Sequence, residues 1–420
     1  MGLLARQVLA AGLVANALRP LRGLGGGVPA FVGGWLTSEL APQLLAVTAA
    51  DVAAELTVRR RRDGHPDPRG LALAGLTAAG LTWMTLGALR SASRVETTLQ
   101  RGLGEDYLDV LEQPPTAADL RLHLRELARP FHLADDGVEV LRDLEYTRGG
   151  RRARLDVYRP RGVELHRAPV LVQVHGGAWT MGSKEGQGVL LMNRMARQGW
   201  VCVAMNYRLA PRHAFPTQVV DVKRALAWIR EHIADHGGDP DYLVLTGGSA
   251  GGHLASLAAL TPGERAWQPG FEDADTSVAA CVPFYGVFDL AGLTGDRPAT
   301  TMRDTFLAPK VIQRDPVTDR DAFVAASPLA RVTPDAPDFF VLHGTADTLV
   351  DVRQARAFVA ALRATSRRSV TYAELPGAHH AFEVFSSIRA HHTVRAVERW
   401  LLHHRALWLH EQAAAEAEPA

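Results

Sequence analysis

From about residue 138 onward, short apolar runs alternate with longer stretches of helical spacing. Residues 138–141 and 154–158 read as an opening antiparallel pair of strands. Residues 168–174, 201–205, 242–246, 278–285, 339–342 and 369–375 read as further strands. Helices are predicted near 190–197, 217–236 and 253–260, with another beginning near Asp351. Strands that alternate with helices predict a mainly parallel sheet covered on both faces. Between residues 289 and 326 no clear period survives, so a lid or substrate wall is expected there.

The first 90 residues have a different pattern. Residues 70–89 carry no charge, and twenty helical residues at 1.5 Å each span about 30 Å, the thickness of a bilayer core. Ala74, Gly75, Ala78 and Ala79 are small residues of the kind that let membrane helices pack. Arg59, Arg60, Arg61, Arg62 and Arg69 form a basic loop before this stretch. Residues 28–50 are mostly apolar but carry Pro29, Glu39 and Pro42, and residues 3–18 are apolar with Arg6 inside. The pattern predicts membrane association through the N-terminal region, with the basic loop facing the cytoplasm. A cell-membrane location with an extracytoplasmic catalytic domain follows. Arg6, Gln7 and Asn16 break the leading apolar run, which argues against a cleaved signal peptide. The alternative is that these segments are helices of a soluble, cytoplasmic cap over the active site. The chain therefore divides into an apolar helical region at 1–90, a helical connector or cap at 91–134, a catalytic domain at 135–410 and a disordered tail at 411–420. Leu120, Leu124 and Leu127 supply the helical spacing of the connector.

The chemistry is concentrated at loops that follow strands. Gly247-Gly248-Ser249-Ala250-Gly251-Gly252 lies between a strand and a helix. That is the setting in which G-x-S-x-G forms a nucleophile elbow, with Ser249 raised above the sheet edge. A serine hydroxyl needs a base, and the base needs an orienting group. In the α/β-hydrolase order an acid and then a histidine follow the serine. Asp347 lies on a loop after the 339–342 strand, where such sheets place their chemistry. A helix N-cap is the other reading of Asp347. His379 and His380 follow the 369–375 strand, and either could be the base. Upstream, His175-Gly176-Gly177-Ala178-Trp179 ends the 168–174 strand. Attack on a carbonyl creates an oxyanion that pre-aimed N–H groups must meet. The amides of Gly176, Gly177 and Ala250 are assigned to that oxyanion hole.

With these residues in view, the sequence resembles the hormone-sensitive-lipase-like branch of the α/β-hydrolase carboxylesterases. HGGAW at 175–179, YRLAPRHAFP at 207–216, GGSAGG at 247–252, HGTADTLV at 343–350 and HHAF at 379–382 carry the resemblance. It implies an α/β-hydrolase fold, a mainly parallel sheet flanked by helices, with the N-terminal helical extension added. It also implies Ser249 as nucleophile, Asp347 as orienter and, because Ala381-Phe382 follows it, His380 as base. Asp221 and the 207–216 segment would brace the site. Three positions depart from the pattern. Ala178 stands where many relatives have a third glycine, Gly248 where an acidic residue is frequent, and Arg212 where an acidic residue follows Ala-Pro. HGGAW also occurs in arylformamidase-like members, so amide hydrolysis is the alternative reaction. A non-catalytic, membrane-tethered binding protein is the alternative outside enzymes.

Composition narrows the partners. The 420-residue chain has a formal net charge of +1, so nothing pulls it toward nucleic acid. Cys202 and Cys281 lie in apolar runs and read as buried thiols. No Cys/His spacing suggests a metal, and His391-His392 and His403-His404 fit a helix surface. The expected partner is a small-molecule or lipid ester, with no metal and no organic cofactor.

Overall fold

The computed structural model describes residues 2–20, 27–61, 65, 67–116 and 119–417. Four helices come first: α1 (Leu3–Leu18), α2 (Gly27–Glu39), α3 (Ala41–Arg61) and α4 (Pro68–Leu103). The short α5 (Leu124–Ala128) precedes β1 (Val138–Glu145), β2 (Arg154–Pro160) and β3 (Ala168–Val174). Then come α6 (Val189–Arg197), β4 (Val201–Met205), α7 (Thr217–His232), β5 (Gly238–Gly248) and α8 (Ala250–Leu260). The chain ends with β6 (Ala280–Phe284), α9 (Arg297–Met302), α10 (Arg320–Ala325), β7 (Asp338–Gly344), α11 (Val352–Thr365), β8 (Val370–Leu375) and α12 (Ile388–Ala417).

The strands form one sheet in the order β1-β2-β4-β3-β5-β6-β7-β8. β1/β2 and β2/β4 pair antiparallel, and the remaining pairs are parallel. Successive strand residues point to opposite faces, and the core divides accordingly. Val170, Val172 and Val174 join Leu243, Leu245 and Val341 in one cluster, while Leu171 joins Val244, Val282 and Leu342 in the other. Both faces are covered, which is why these strands read as nearly continuous apolar runs. The chain goes from β3 to β4 on one side and then returns to β5 on the other. The carboxyl ends of β3 and β5 thus flank a switch point, where open α/β sheets place their sites.

The N-terminal layer is built around α4. Its buried residues Gly70, Ala74, Thr77, Leu81, Met84, Ala88, Ser91, Val95 and Leu99 recur every three or four positions, forming a single stripe. Leu76, Trp83, Leu86 and Leu89 are exposed. Among the described residues, α4 is the one helix long and apolar enough to cross a membrane. The expected boundary at residue 90 falls inside this helix. Arg90, Arg94 and Arg101 are exposed, so the stripe continues past them, and Val95 and Leu99 join the catalytic domain's core.

Two other expectations are corrected. The helix expected from the spacing of Leu120, Leu124 and Leu127 shrinks to α5, and Leu124 is exposed. Side chains from neighbouring elements hold this segment instead: Arg395 donates to Leu120 O and Arg121 O, and Gln43 to Leu127 O. The tail is helical to Ala417 because its Ala/Glu composition favours continuing α12; residues 418–420 lie outside the described residues, as do residues 62–64 at the end of the basic loop. Between 289 and 326 the chain is largely helical, with a π-helical segment at Arg303–Ile312.

Candidate active site

Ser249 stands alone between β5 and α8, with φ 59° and ψ −121°. A non-glycine residue in such a conformation costs about 1–3 kcal/mol and persists only where its surroundings hold it. Its amide donates to Phe284 O at 3.0 Å. The elbow presses onto the end of β3: a Cβ at Gly251 would lie 2.1 Å from Val174 O, and one at Gly247 2.5 Å from the same atom. Only glycine permits that approach.

Asp347 follows β7 and is buried. Its Oδ1 accepts from the amides of Leu349 (2.9 Å) and Val350 (2.8 Å). Its Oδ2 lies 2.6 Å from His380 Nδ1 and 3.3 Å from His343 Nε2. Burial opposes its charge, but His380 and the hydrogen bond from His343 outweigh it and hold its carboxyl well below the usual range. The N-cap of α11 is Asp351, whose side chain accepts from Arg353 N, so Asp347 does not cap that helix.

The structure brings His380, not His379, to Asp347. His379 Nε2 lies 2.9 Å from Ala17 O at the end of α1. A Cβ at Gly34 of α2 would lie 2.5 Å from His379 Cε1. Phe31, one turn earlier on α2, sets its ring edge against His380 at 5.8 Å. The N-terminal layer therefore packs directly on the histidine loop.

One oxyanion assignment is corrected. The Gly176 amide donates to Gln187 Oε1 at 2.6 Å. The turn out of β3 begins one residue later, where φ is 113° at Gly177, 52° at Ala178 and 59° at Trp179. The amides of Gly177, Ala178 and Ala250 have no acceptor among the described residues. Ala178 was not among the predicted donors. The signal was available, since a position with positive φ favours glycine, the residue many relatives carry there. Trp179 is buried and donates to His253 Nδ1 at 3.1 Å, while His253 Nε2 lies 2.8 Å from Ala326 O. Burial pushes His253 down to about 4, which keeps this bridge neutral. Tyr207 stacks on His175 and donates to its carbonyl at 2.9 Å, and Asp221 accepts from the Arg208 amide and guanidinium.

Tyr285 and Glu383 gave no signal in the sequence. Tyr285 has φ 37°, its ring lies 4.4 Å from His380, and its hydroxyl donates to Glu383. A Cβ at Gly248 would lie 2.6 Å from the Tyr285 hydroxyl. Tyr285 thus touches both the elbow and the histidine, and it occupies the room a side chain at 248 would need.

Burial pushes the Glu383 carboxyl up to about 7, against the hydrogen bond from Tyr285. The native state then holds a proton that the unfolded chain releases near pH 4–5. Its contribution to stability is full below that range and declines as pH rises to about 7. Glu383→Gln removes this decline, a difference of roughly 3 kcal/mol by pH 8. Unfolding of both proteins at pH 5 and pH 8 checks it; parallel wild-type and variant pH curves would contradict the assignment.

Among the described residues, no group of three His, Cys, Asp or Glu side chains is placed to hold a metal ion. The chain matches the BD-FAE family over residues 155–362. It is 38% identical over 431 residues to "Probable carboxylic ester hydrolase LipM" of Mycobacterium tuberculosis, covering 100% of this chain and 96% of that one. The chain belongs to the hormone-sensitive-lipase-like carboxylesterases of the α/β-hydrolase superfamily. This carboxylesterase is also 50% identical over 260 residues to "Esterase LipQ" of the same organism, across 62% of this chain and 61% of that one. The butyrate-bound esterase of Thermogutta terrifontis superimposes with a TM-score of 0.54 and 25% identity, over 64% of this chain and 94% of that one.

Proposed function

We propose that this carboxylesterase cleaves its ester through an acyl-enzyme formed on Ser249. The observation that carries the reading is the 2.6 Å contact between His380 Nδ1 and Asp347 Oδ2. With Nδ1–H donated to the carboxylate, the Nε2 lone pair is left to take the serine proton. Ser249 Oγ attacks the ester carbonyl as His380 removes its proton, and Asp347 stabilises the imidazolium. The amides of Gly177, Ala178 and Ala250 hold the oxyanion. His380 returns the proton to the leaving alcohol, and water then releases the acid by the same steps in reverse.

Trp179, which sits in the HGGAW motif shared with formamidase-like members, is committed to His253, so it supplies no contact that favours an amide. The N-terminal region serves two roles in this reading. Its inner side, with Phe31 and the carbonyl of Ala17, roofs the histidine loop. Its outer side, with exposed Leu4, Val8, Leu9, Leu76, Trp83 and Leu86, enters the membrane. The substrate is accordingly a small or lipid ester.

A fluorophosphonate that reacts with activated serines tests the mechanism. We expect one labelled peptide, carrying Ser249, and loss of p-nitrophenyl ester hydrolysis in proportion to labelling. Labelling at another residue, or faster cleavage of an N-formyl aryl amine than of the aryl ester, would sink the reading.

A further inference from the structure

Away from the serine site, the N-terminal helical layer forms an open cavity of about 280 Å³, and the lining residues Leu13 and Val47 are exposed. Its body is apolar, formed by Ala10, Leu13 and Val14 of α1, Leu44 and Val47 of α3, and Leu81 of α4. One end is polar, where Arg6 and Gln7 of α1 meet Asp51 of α3. Gln7 is only 3% exposed. Its Nε2 donates to Asp51 Oδ2 at 2.9 Å, while its Oε1 finds no donor among the described residues. A buried acceptor without a donor is costly and calls for a partner. A water could meet Gln7, but it would leave the apolar walls uncovered, whereas an amphiphile would meet both.

The charges beside Gln7 restrict the head group. Arg6 and Asp51 are paired at 2.8 Å, and Glu55 lies 3.7 Å from Arg6. An anionic head would face the Asp51 carboxylate, and a cationic head would face the Arg6 guanidinium. An uncharged hydroxyl meets neither penalty and can donate to Gln7 Oε1. Drug-sized ligands occupy pockets of about 300–1,000 Å³, so this volume suits one chain rather than two. The outer side of α1 carries exposed Leu4, Val8 and Leu9, so an amphiphile dissolved in a bilayer would already lie beside it.

The geometry points to a binding site for a single-chain, hydroxyl-bearing, uncharged lipid, with its chain among Leu13, Val14, Leu44 and Leu81 and its hydroxyl on Gln7 Oε1. The site is separate from the reaction centre, and α1 runs between them. Ala17, ten residues beyond Gln7 and so about 15 Å along α1, holds His379 through its carbonyl.

The probe is 1-O-hexadecylglycerol, an ether that no esterase can cleave. It is added to the full chain reconstituted in phosphatidylcholine nanodiscs, with and without prior fluorophosphonate treatment, and the thermal midpoint is followed. A ligand that binds only the folded state raises that midpoint as it saturates. We expect a saturable rise that survives phosphonate treatment. Ala10→Phe, which fills the cavity, abolishes the rise, and Gln7→Leu raises the half-saturating concentration at least ten-fold. The site is overturned by no saturable rise in the unmodified chain, by a rise that phosphonate blocks, by an unchanged rise in folded Ala10→Phe, or by Gln7→Leu binding as the unmodified chain does. The measurement reads binding alone, so its failure leaves the serine chemistry untouched, and loss of serine labelling leaves this site untouched.

Discussion

Ser249→Ala and His380→Ala each lower kcat for a p-nitrophenyl ester by about 10⁴-fold or more, while His379→Ala keeps most of its turnover. The serine variant retains the wild-type thermal midpoint. Alanine keeps the Cβ at φ 59°, so the strain of the elbow and its hydrogen bond to Phe284 O are unchanged. Asp347→Asn is expected to be about as damaging, since an amide at Oδ2 leaves His380 in the wrong tautomer. His379 behaves differently because its ring nitrogen is spent on Ala17 O. Losing it loosens the roof rather than the chemistry, and its effect should fall on KM and thermal stability. Steady-state kinetics on the full-length variants decides between them. A dead His379→Ala beside an active His380→Ala would reverse the assignment of the base.

Glu39→Gln is expected to cost about 3–5 kcal/mol of stability, the usual result of stranding one member of a buried ion pair. Glu39 closes α2 and pairs with Arg389 near the start of α12. Both side chains are buried, and the second Glu39 oxygen accepts from Ser387 Oγ at 2.7 Å. This contact joins the N-terminal layer to the segment just after the histidine loop. Removing the carboxylate charge leaves Arg389 in a site whose burial already pulls its pKa down to about 10. The double variant Glu39→Met/Arg389→Met should recover much of the loss, because apolar side chains of similar size need no partner. Thermal unfolding of the two single variants and the double variant measures this. A single-variant cost below about 1 kcal/mol would mean that the pair is solvated and that the layer is held by its apolar contacts. The same contact predicts that a chain starting near residue 95 is unstable, because it also cuts α4 ahead of Val95 and Leu99.

Local pattern was enough for part of this protein. The β-strands were legible because both faces of the sheet are covered, so burial appears as nearly continuous apolar runs, broken only by Gln173 in residues 168–174 and unbroken in 201–205. The elbow was legible because its glycines answer local demands: close backbone approach at Gly247 and Gly251 can be met by no other residue. Asp347 and the histidine pair were legible because they end strands that the same pattern revealed. Contacts between distant segments were not. The family pattern at Ala381-Phe382 pointed to His380, but the partner of His379 was not legible, because α1 and α2 arrive from more than 340 positions away. The partner of the Gly176 amide was not legible, because Gln187 lies eleven positions on. Tyr285 and Glu383 are 98 positions apart and meet only across the folded site. The apolar N-terminal helices announced their composition but not their place. Hydropathy reports what a helix prefers to touch, and both a bilayer and a histidine loop satisfy that preference; only packing put one side of the layer against the histidine loop.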